Sequence, residues 1–339
     1  MAESTLDEAL ERLRGTGPER DGWLSNHGPM AVEALAHNGH DGEVHAWLDH
    51  YRDRLEEAPR GISPIGRTEW RDPLGDPVRT GDWIAFFARE VHEAPWREVL
   101  ATWWPRLLPG IAAGATHGVI RVGHAVRALL DTETAPRVDE LGQGLAYWAA
   151  RWQPITPAGH GPYRSTDPRS ALDAIPRVPD QRFGIRNRLA QLAGLAGWPE
   201  AAGAIPGAGE VPDRLGAIVT AAVLRHGRYG YGSPVMLVHS ATAPAAVLRT
   251  LPALPAALAA PSLEAAWAAA AAVTAAYAPA EPRTPSMTAA GGPDDVIGRA
   301  AERGDPHGIK FADAAAEMWR RAPDPALLVA ADQATELIG

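Results

Sequence analysis

The sequence predicts an all-α fold, and three observations carry that expectation. Alternation of apolar and polar residues, the mark of a half-buried strand, never persists beyond a few positions. Apolar residues recur instead at spacings of three and four, which lines up one face of a helix. Pro and Gly fall between these stretches, where helices start and stop. No fixed-period repeat divides the 339 residues, so one continuous domain over 1–339 is expected.

The elements follow in order. Met30–Ala36 comes after Gly28-Pro29, with the proline at a favoured first-turn position. Val44–Leu55 sets Val44, Trp47, Leu48, Tyr51 and Leu55 along one helix face, and Asp82–His92 repeats this with Trp83, Phe86, Phe87 and Val91. Pro95 opens a helix through Trp103, and Pro105 and Pro109 then punctuate the chain. Ile111–Leu130 reads as one long apolar helix starting after Gly110, and Val138–Trp152 as the next. Pro154–Pro179 is a proline-rich connection. Asn187–Leu195, Asp213–Arg225, Ala243–Leu251, Leu263–Tyr277 and Asp294–Arg303 are helices, and Ile309–Arg321 and Pro325–Ile338 close the chain. His226–Gly232 (HGRYGYG) reads as a turn that brings Pro234–Val238 inward. Pro279–Pro293, rich in Pro, Ala, Gly and Thr, reads as a mobile loop.

Composition narrows the function. A hydrophobic share of 46% rules out a disordered chain. A formal net charge of −9 argues against a nucleic-acid surface, which needs clustered Lys and Arg. The absence of cysteine excludes disulfides, thiolate zinc sites, iron–sulfur clusters and cysteine nucleophiles. The opening MAESTLDEALERLRG is charged and amphipathic, unlike a signal peptide. The longest nearly apolar run, Ala265–Ala278, is too short to span a bilayer. The expectation is a cytoplasmic protein that works on a small molecule, with neither nucleic acid nor membrane as partner.

Two residue counts say more. The 32 basic residues include a single lysine, Lys310, where ordinary usage gives about 20. A lysine surviving such a bias marks a place that needs an amine able to lose its proton, unless it survives by chance; Arg cannot supply that. The 12 Trp outnumber 6 Tyr and 4 Phe, which suits a packed core or a pocket for a flat aromatic ligand.

Five histidines stand beside small residues in apolar stretches: His27, His117, His124, His239 and His307. Imidazole in such a setting is costly unless it is paired or bound to metal. One alone reads best as a satisfied core residue; five together make a shared site competitive. Nitrogen and oxygen ligands then point to iron, zinc, copper or nickel. His117 and His124 are seven apart, about 10 Å along one helix face, so only one of them suits a given ion. His307 and Lys310 are three apart, and one turn can aim both at a single centre. Lys310 itself reads as a surface residue, as a base of lowered pKa, or as an amine that adds carbon dioxide to become a carbamate oxygen ligand.

A second cluster, His37, His40, His45 and His50, contains the dipeptide His40-Asp41. All-α HD-type phosphohydrolases use such a dipeptide, but here it sits in the Gly-bracketed turn HNGHDGE. His45 and His50 fall among Glu43, Asp49, Arg52 and Asp53, the pattern of a solvated face. GAGEVP and GRYGYG lack the strand-before, helix-after context of a nucleotide site, and no GxSxG elbow is present.

The blocks SNHGPMAVEAL, TEWRDPLGDPVRTGDWIAFFARE, WREVLATWWPRLLPGIAAGATHGVIRVGHAVRAL, VHSATAPAAV and DPHGIKFADAA resemble the questin oxidase-like family. The resemblance runs from about residue 20 to about residue 320, and WWPRLLPG followed by THGVIR is its most specific part. It implies oxidative ring opening of anthraquinone-type polyketides, by a Baeyer–Villiger-like or dioxygenase reaction. It also implies a buried mononuclear non-haem Fe(II) held by histidines and a carboxylated lysine, with dioxygen as co-substrate. On this chain those ligands fall to His27, His117, His239, His307 and Lys310. His124 is placed outside the ligand set, although the reverse assignment of His117 and His124 stays open. His124 is then the expected proton acceptor and Arg121 the expected stabiliser of a phenolate. NADPH is a candidate reductant, with no binding fingerprint in the sequence. The competing classes are an HD-like metallohydrolase and a metal-free binding module for a flat aromatic ligand.

Overall fold

The structure is a computed structural model and describes residues 4–155, 167–284 and 291–339. It is 69% helical, as the apolar spacing predicts. The only strands among the described residues form one two-stranded hairpin, Glu19–Arg20 against Leu24–Ser25, in antiparallel register. Its three-residue turn, Asp21–Trp23, places Asp21 and Gly22 at φ 50° and 79°, in the left-handed region. The chain clusters into two compact units. One comprises Met1–Pro154 with Arg249–Leu258, and the other Ile155–Leu248 with Ala259–Gly339.

In the first unit the helices Thr80–Glu93 and His117–Asp131 both pack on Ala135–Ala150, and Gly28–His37 packs on His117–Asp131. Glycines permit the close crossings. A Cβ on Gly118 would stand 2.8 Å from the Trp148 ring, and one on Gly144 would stand 3.2 Å from Val122. Trp83, Trp103, Trp104 and Trp148 are fully buried, and Trp103 meets Trp70, Trp83, Phe86 and Phe87 edge-to-face or nearly so. These tryptophans are core, whatever else the aromatic excess serves.

The long helix expected over Ile111–Leu130 is shorter. Leu108–Gly110 is a 3-10 turn, and the α-helix begins only at His117. Gly114, Ala115 and Thr116 intervene with φ of 54°, 58° and 72°, a left-handed stretch that no right-handed helix can pass through. Apolar periodicity is blind to such a break.

In the second unit Pro306–Arg321 packs on Pro325–Ile338 and Pro293–Arg303, while Val211–Tyr229 packs on Pro325–Ile338 and Ala259–Tyr277. The turn expected at His226 starts late: the helix runs on to Tyr229 before a 3-10 turn at Gly230–Gly232. His226 is thus a buried helical residue that donates from Nε2 to the Pro234 carbonyl (3.0 Å), and burial lowers its pKa to about 4. The helix expected from Ala243 instead begins at His239 and tolerates Pro244 inside it. Pro168–Asp173 adds a short helix to the Pro154–Pro179 connection, of which 156–166 lie outside the described residues. Of the expected loop Pro279–Pro293, Glu281–Thr284 has neither helix nor strand, and 285–290 lie outside the described residues. One stretch, Ala256–Tyr277, is long and apolar enough to cross a bilayer by length and composition. Inside the second unit, however, Trp267 donates to the Ala201 carbonyl (3.0 Å) and the helix Ala259–Tyr277 is mostly buried, as in a core helix.

The first unit also buries an ionic network. Arg127 grips both oxygens of Glu33 (2.8 and 2.6 Å), and His124 donates from Nδ1 to the same carboxylate (2.5 Å). Burial alone would raise the Glu33 pKa, but the Arg127 guanidinium and the His124 contact outweigh it and bring it down to about 2. Stability from that carboxylate is therefore present above about pH 4.5 and lost as pH falls toward 2. Glu33→Ala strands a buried guanidinium, so an unfolding free energy lower by about 3–5 kcal/mol is expected in a denaturant titration at neutral pH. A loss below about 1 kcal/mol would remove the network from the stability account.

Candidate metal centre

The four histidines expected as ligands share one position in the fold: each stands at the start of a helix. His27 is the residue before Gly28–His37, His117 opens His117–Asp131, His239 opens His239–Thr250, and His307 is the second residue of Pro306–Arg321. Helix starts are the positive ends of the peptide dipoles and disfavour an imidazolium. A neutral ring is the form that binds a metal.

Three of the four have a defined tautomer. His117 Nδ1 lies 2.6 Å from the Gly114 carbonyl, His239 Nδ1 lies 3.0 Å from the Met236 carbonyl, and His307 Nδ1 lies 2.9 Å from Asp305 Oδ1. Carbonyls and carboxylates only accept, so each Nδ1 carries the proton and Nε2 carries the lone pair of the neutral ring. This is how protein groups commonly orient a metal-binding imidazole. Asp305 plays two parts, since the same oxygen caps the helix by accepting from the His307 backbone N–H (2.8 Å).

In the first unit the rings of His27 and His117 meet at 4.5 Å between centroids, near-perpendicular at 85°. Ring nitrogens of the two lie within 4.8 Å. Two nitrogens on one ion stand at most about 4.2 Å apart, so the pair is near chelating distance. The hairpin leads into His27, whose backbone N–H donates to the Tyr51 hydroxyl (2.7 Å).

In the second unit the rings of His239 and His307 lie 5.6 Å apart. Burial, with His307 and Lys310 nearby, holds the His239 pKa well below its usual value. Lys310 is 1% exposed, one turn beyond His307. Burial lowers its pKa to about 7, against a smaller opposing pull from Asp305. A surface lysine is therefore ruled out by its placement.

His124 and Arg121 sit elsewhere on the helix His117–Asp131. His124 gives its Nδ1 proton to Glu33, and its Nε2 accepts from Arg249 (3.3 Å). Burial lowers its pKa to about 4 in spite of Glu33. Both nitrogens are committed inside the first unit, which leaves His117 as the ligand candidate of the two. Arg121 is 4% exposed and binds both oxygens of Glu140 through Nε and Nη2 (2.6 and 2.7 Å). Its buried Nη1 has no hydrogen-bond partner among the described residues. The rival cluster disperses over a solvated face. His37 and His50 are exposed, His45 meets Glu8 (3.1 Å), and His50 Nδ1 donates to the Ala46 carbonyl (2.8 Å).

Sequence reading missed the supporting groups: the Gly114 and Met236 carbonyls, Asp305, Glu33, Glu140 and Arg249. Asp305 was signalled by its place two residues before His307 at a helix cap. The others depend on contacts remote in sequence or on backbone geometry.

The fold and these side chains define an all-α protein with two buried histidine clusters, one carrying a lysine of lowered basicity. Residues 24–134 match the family model described as questin oxidase-like, which supports the resemblance drawn from the sequence blocks and an oxidase reading. The match takes in His27, His117, Arg121 and His124 and ends before His239, His307 and Lys310. No curated protein matches the chain.

The residues fit the ferrous ion that the family resemblance implies. Imidazoles presenting Nε2 suit iron, and an amine of pKa about 7 forms a carbamate far more readily than an ordinary lysine. That pKa has a consequence without metal. The unfolded chain holds a proton on Lys310 up to about pH 10.5, whereas the folded chain sheds it near 7. Metal-free protein should therefore gain stability as pH rises from about 7 toward 10, because unfolding takes up a proton. Melting temperatures across that range should climb, and Lys310→Met should flatten the climb.

Proposed function

We propose that this protein is a non-haem iron oxygenase that opens a ring of an anthraquinone-type or related polycyclic aromatic polyketide. Its ligands are His27, His117, His239, His307 and carboxylated Lys310. The observation that carries this reading is the shared placement of the four histidines at helix starts, three with Nδ1 committed to an acceptor, together with a buried lysine near His239 and His307 whose pKa burial lowers to about 7. The questin oxidase-like match supports the substrate class.

Ferrous iron, when bound, supplies the electron that dioxygen needs to react with a closed-shell aromatic. The chain's own residues bind and orient the substrate. Arg121 keeps a permanent charge, is anchored on Glu140, and retains one buried N–H at Nη1 to donate to a phenolate oxygen. His124 takes the phenol proton at Nε2 once substrate displaces the Arg249 N–H from which this nitrogen accepts here, and its low proton affinity favours passing the proton on rather than storing it. Glu33 holds the Nδ1 proton of that ring and so keeps Nε2 as the accepting atom. NADPH, where it is needed, delivers electrons from outside these clusters.

Untagged protein reconstituted with iron should hold about one iron per chain and consume oxygen with a hydroxyanthraquinone. His27→Ala, His117→Ala, His239→Ala and His307→Ala should each lose iron and oxygen consumption, while His37→Ala and His50→Ala keep both. Lys310→Arg should be inactive despite its charge, since a guanidinium forms no carbamate. His124→Ala should keep iron and lose turnover by about 10²–10⁴-fold. Protein that binds hydroxyanthraquinone but no iron would instead be a binding module.

A further inference from the structure

We infer that the left-handed turn Gly114–Ala115–Thr116 is a strained clamp whose purpose is to hold the imidazole of His117. The inference rests on the reading of His117 as a metal ligand. It adds Ala115 and Thr116 as positioning residues.

Consecutive residues with positive φ are uncommon, and here two of the three are not glycine: Ala115 at 58° and Thr116 at 72°. Thr116 is β-branched, the type least tolerant of this region. Nothing in its side chain offsets the cost. It stands at the helix start without capping it, it is 1% exposed, and its Oγ1 has no hydrogen-bond partner among the described residues.

The turn has one evident product. It brings the Gly114 carbonyl back over His117, where a single oxygen accepts both from the backbone N–H (3.2 Å) and from ring Nδ1–H (2.6 Å). Two bonds to one acceptor fix the position of the ring and its tautomer together. Strain of this kind persists only when its surroundings over-determine it. Here they do. A Cβ on Gly114 would stand 2.5 Å from the Tyr147 hydroxyl, so the backbone is pressed against that ring. Tyr147 is held in turn by Ser25 (2.6 Å), and Gly118, one turn on, is pressed against Trp148. The helix Ala135–Ala150 thus backs the strained turn from one side.

The test uses the full chain and the variants Ala115→Gly and Ala115→Asn. Glycine relaxes the left-handed residue and frees the turn, whereas Asn tolerates the same conformation without that freedom. Three readouts are taken. Metal-free Ala115→Gly should melt no lower than the parent and up to about 2 °C higher. The slowly exchanging Nδ1–H signal of His117, visible by nitrogen-edited NMR in the metal-free parent, should be lost in Ala115→Gly and kept in Ala115→Asn. Cobalt(II) affinity by calorimetry should fall about tenfold or more in Ala115→Gly and stay within about threefold in Ala115→Asn. An Nδ1–H signal that survives in Ala115→Gly, or a glycine variant that binds cobalt as tightly as the parent, overturns the clamp. If Ala115→Gly fails to fold, the turn is not strained and the inference falls with it. A parent that binds no cobalt sinks the ligand reading of His117 instead, and the NMR comparison still decides the clamp.

Discussion

A neutral imidazole shares one proton between two nitrogens, and in a dry interior the group accepting that proton decides what the other nitrogen does. The placement of the buried histidines follows from this constraint. The segment just before a helix offers nearby acceptors with little conformational freedom: a carbonyl not yet used by the helix, or a capping carboxylate. His117, His239 and His307 each use one, from Gly114, Met236 and Asp305. The acceptor is local in every case, so the ring's orientation is set by the helix start itself rather than by packing from afar. That makes a helix start a precise mount for a ligand, and Gly118 beside His117 and Pro306 and Gly308 beside His307 are residues that suit such starts.

His124 shows the opposite arrangement and so a different job. It lies inside a helix, where neighbouring carbonyls are already bonded, and its Nδ1 must find an acceptor on another element, Glu33. That carboxylate also neutralises Arg127, which ties the helix Gly28–His37 to His117–Asp131 by charge as well as by apolar contact. Burial of the ions costs several kcal/mol each, which the paired geometry and multiple hydrogen bonds largely offset. The intact network is therefore worth less to stability than the loss of one partner from it would cost. It fixes how the helix that begins with His117 lies against the helix that follows His27.

Much of this was legible from residue order alone. The all-α class follows from the three- and four-residue apolar spacing, and the candidate ligands from histidines beside small residues and one isolated lysine. What was not legible has a common cause. The break before His117, the helical setting of His226 and the early start at His239 all turn on backbone conformation, which apolar periodicity does not encode. Ala115 and Thr116 are the clearest case, since neither residue type advertises a left-handed conformation. Spacing could reject His117 and His124 as joint ligands, but it could not choose between them. The partners of His124, Glu33 and Arg249, are remote in sequence, and they favour His117 as the candidate.

Lys310 joins composition to mechanism. The family match ends at residue 134, so the cluster of His239, His307 and Lys310 stands on its own chemistry. In a chain that uses arginine almost everywhere, the one lysine occupies a buried position beside two histidines rather than the surface. Arginine there would remain charged at any physiological pH and would repel a metal cation. Lysine at a pKa of about 7 exists in comparable amounts as ammonium and free amine at neutral pH, and only the free amine adds carbon dioxide. In the proposed centre a carbamate there would be an anion, supplying the negative charge that the neutral imidazoles lack. Burial thus does one part of the work, stripping the proton that would block the reaction, and in the proposed centre the metal would have to offset the cost of burying the carbamate's charge.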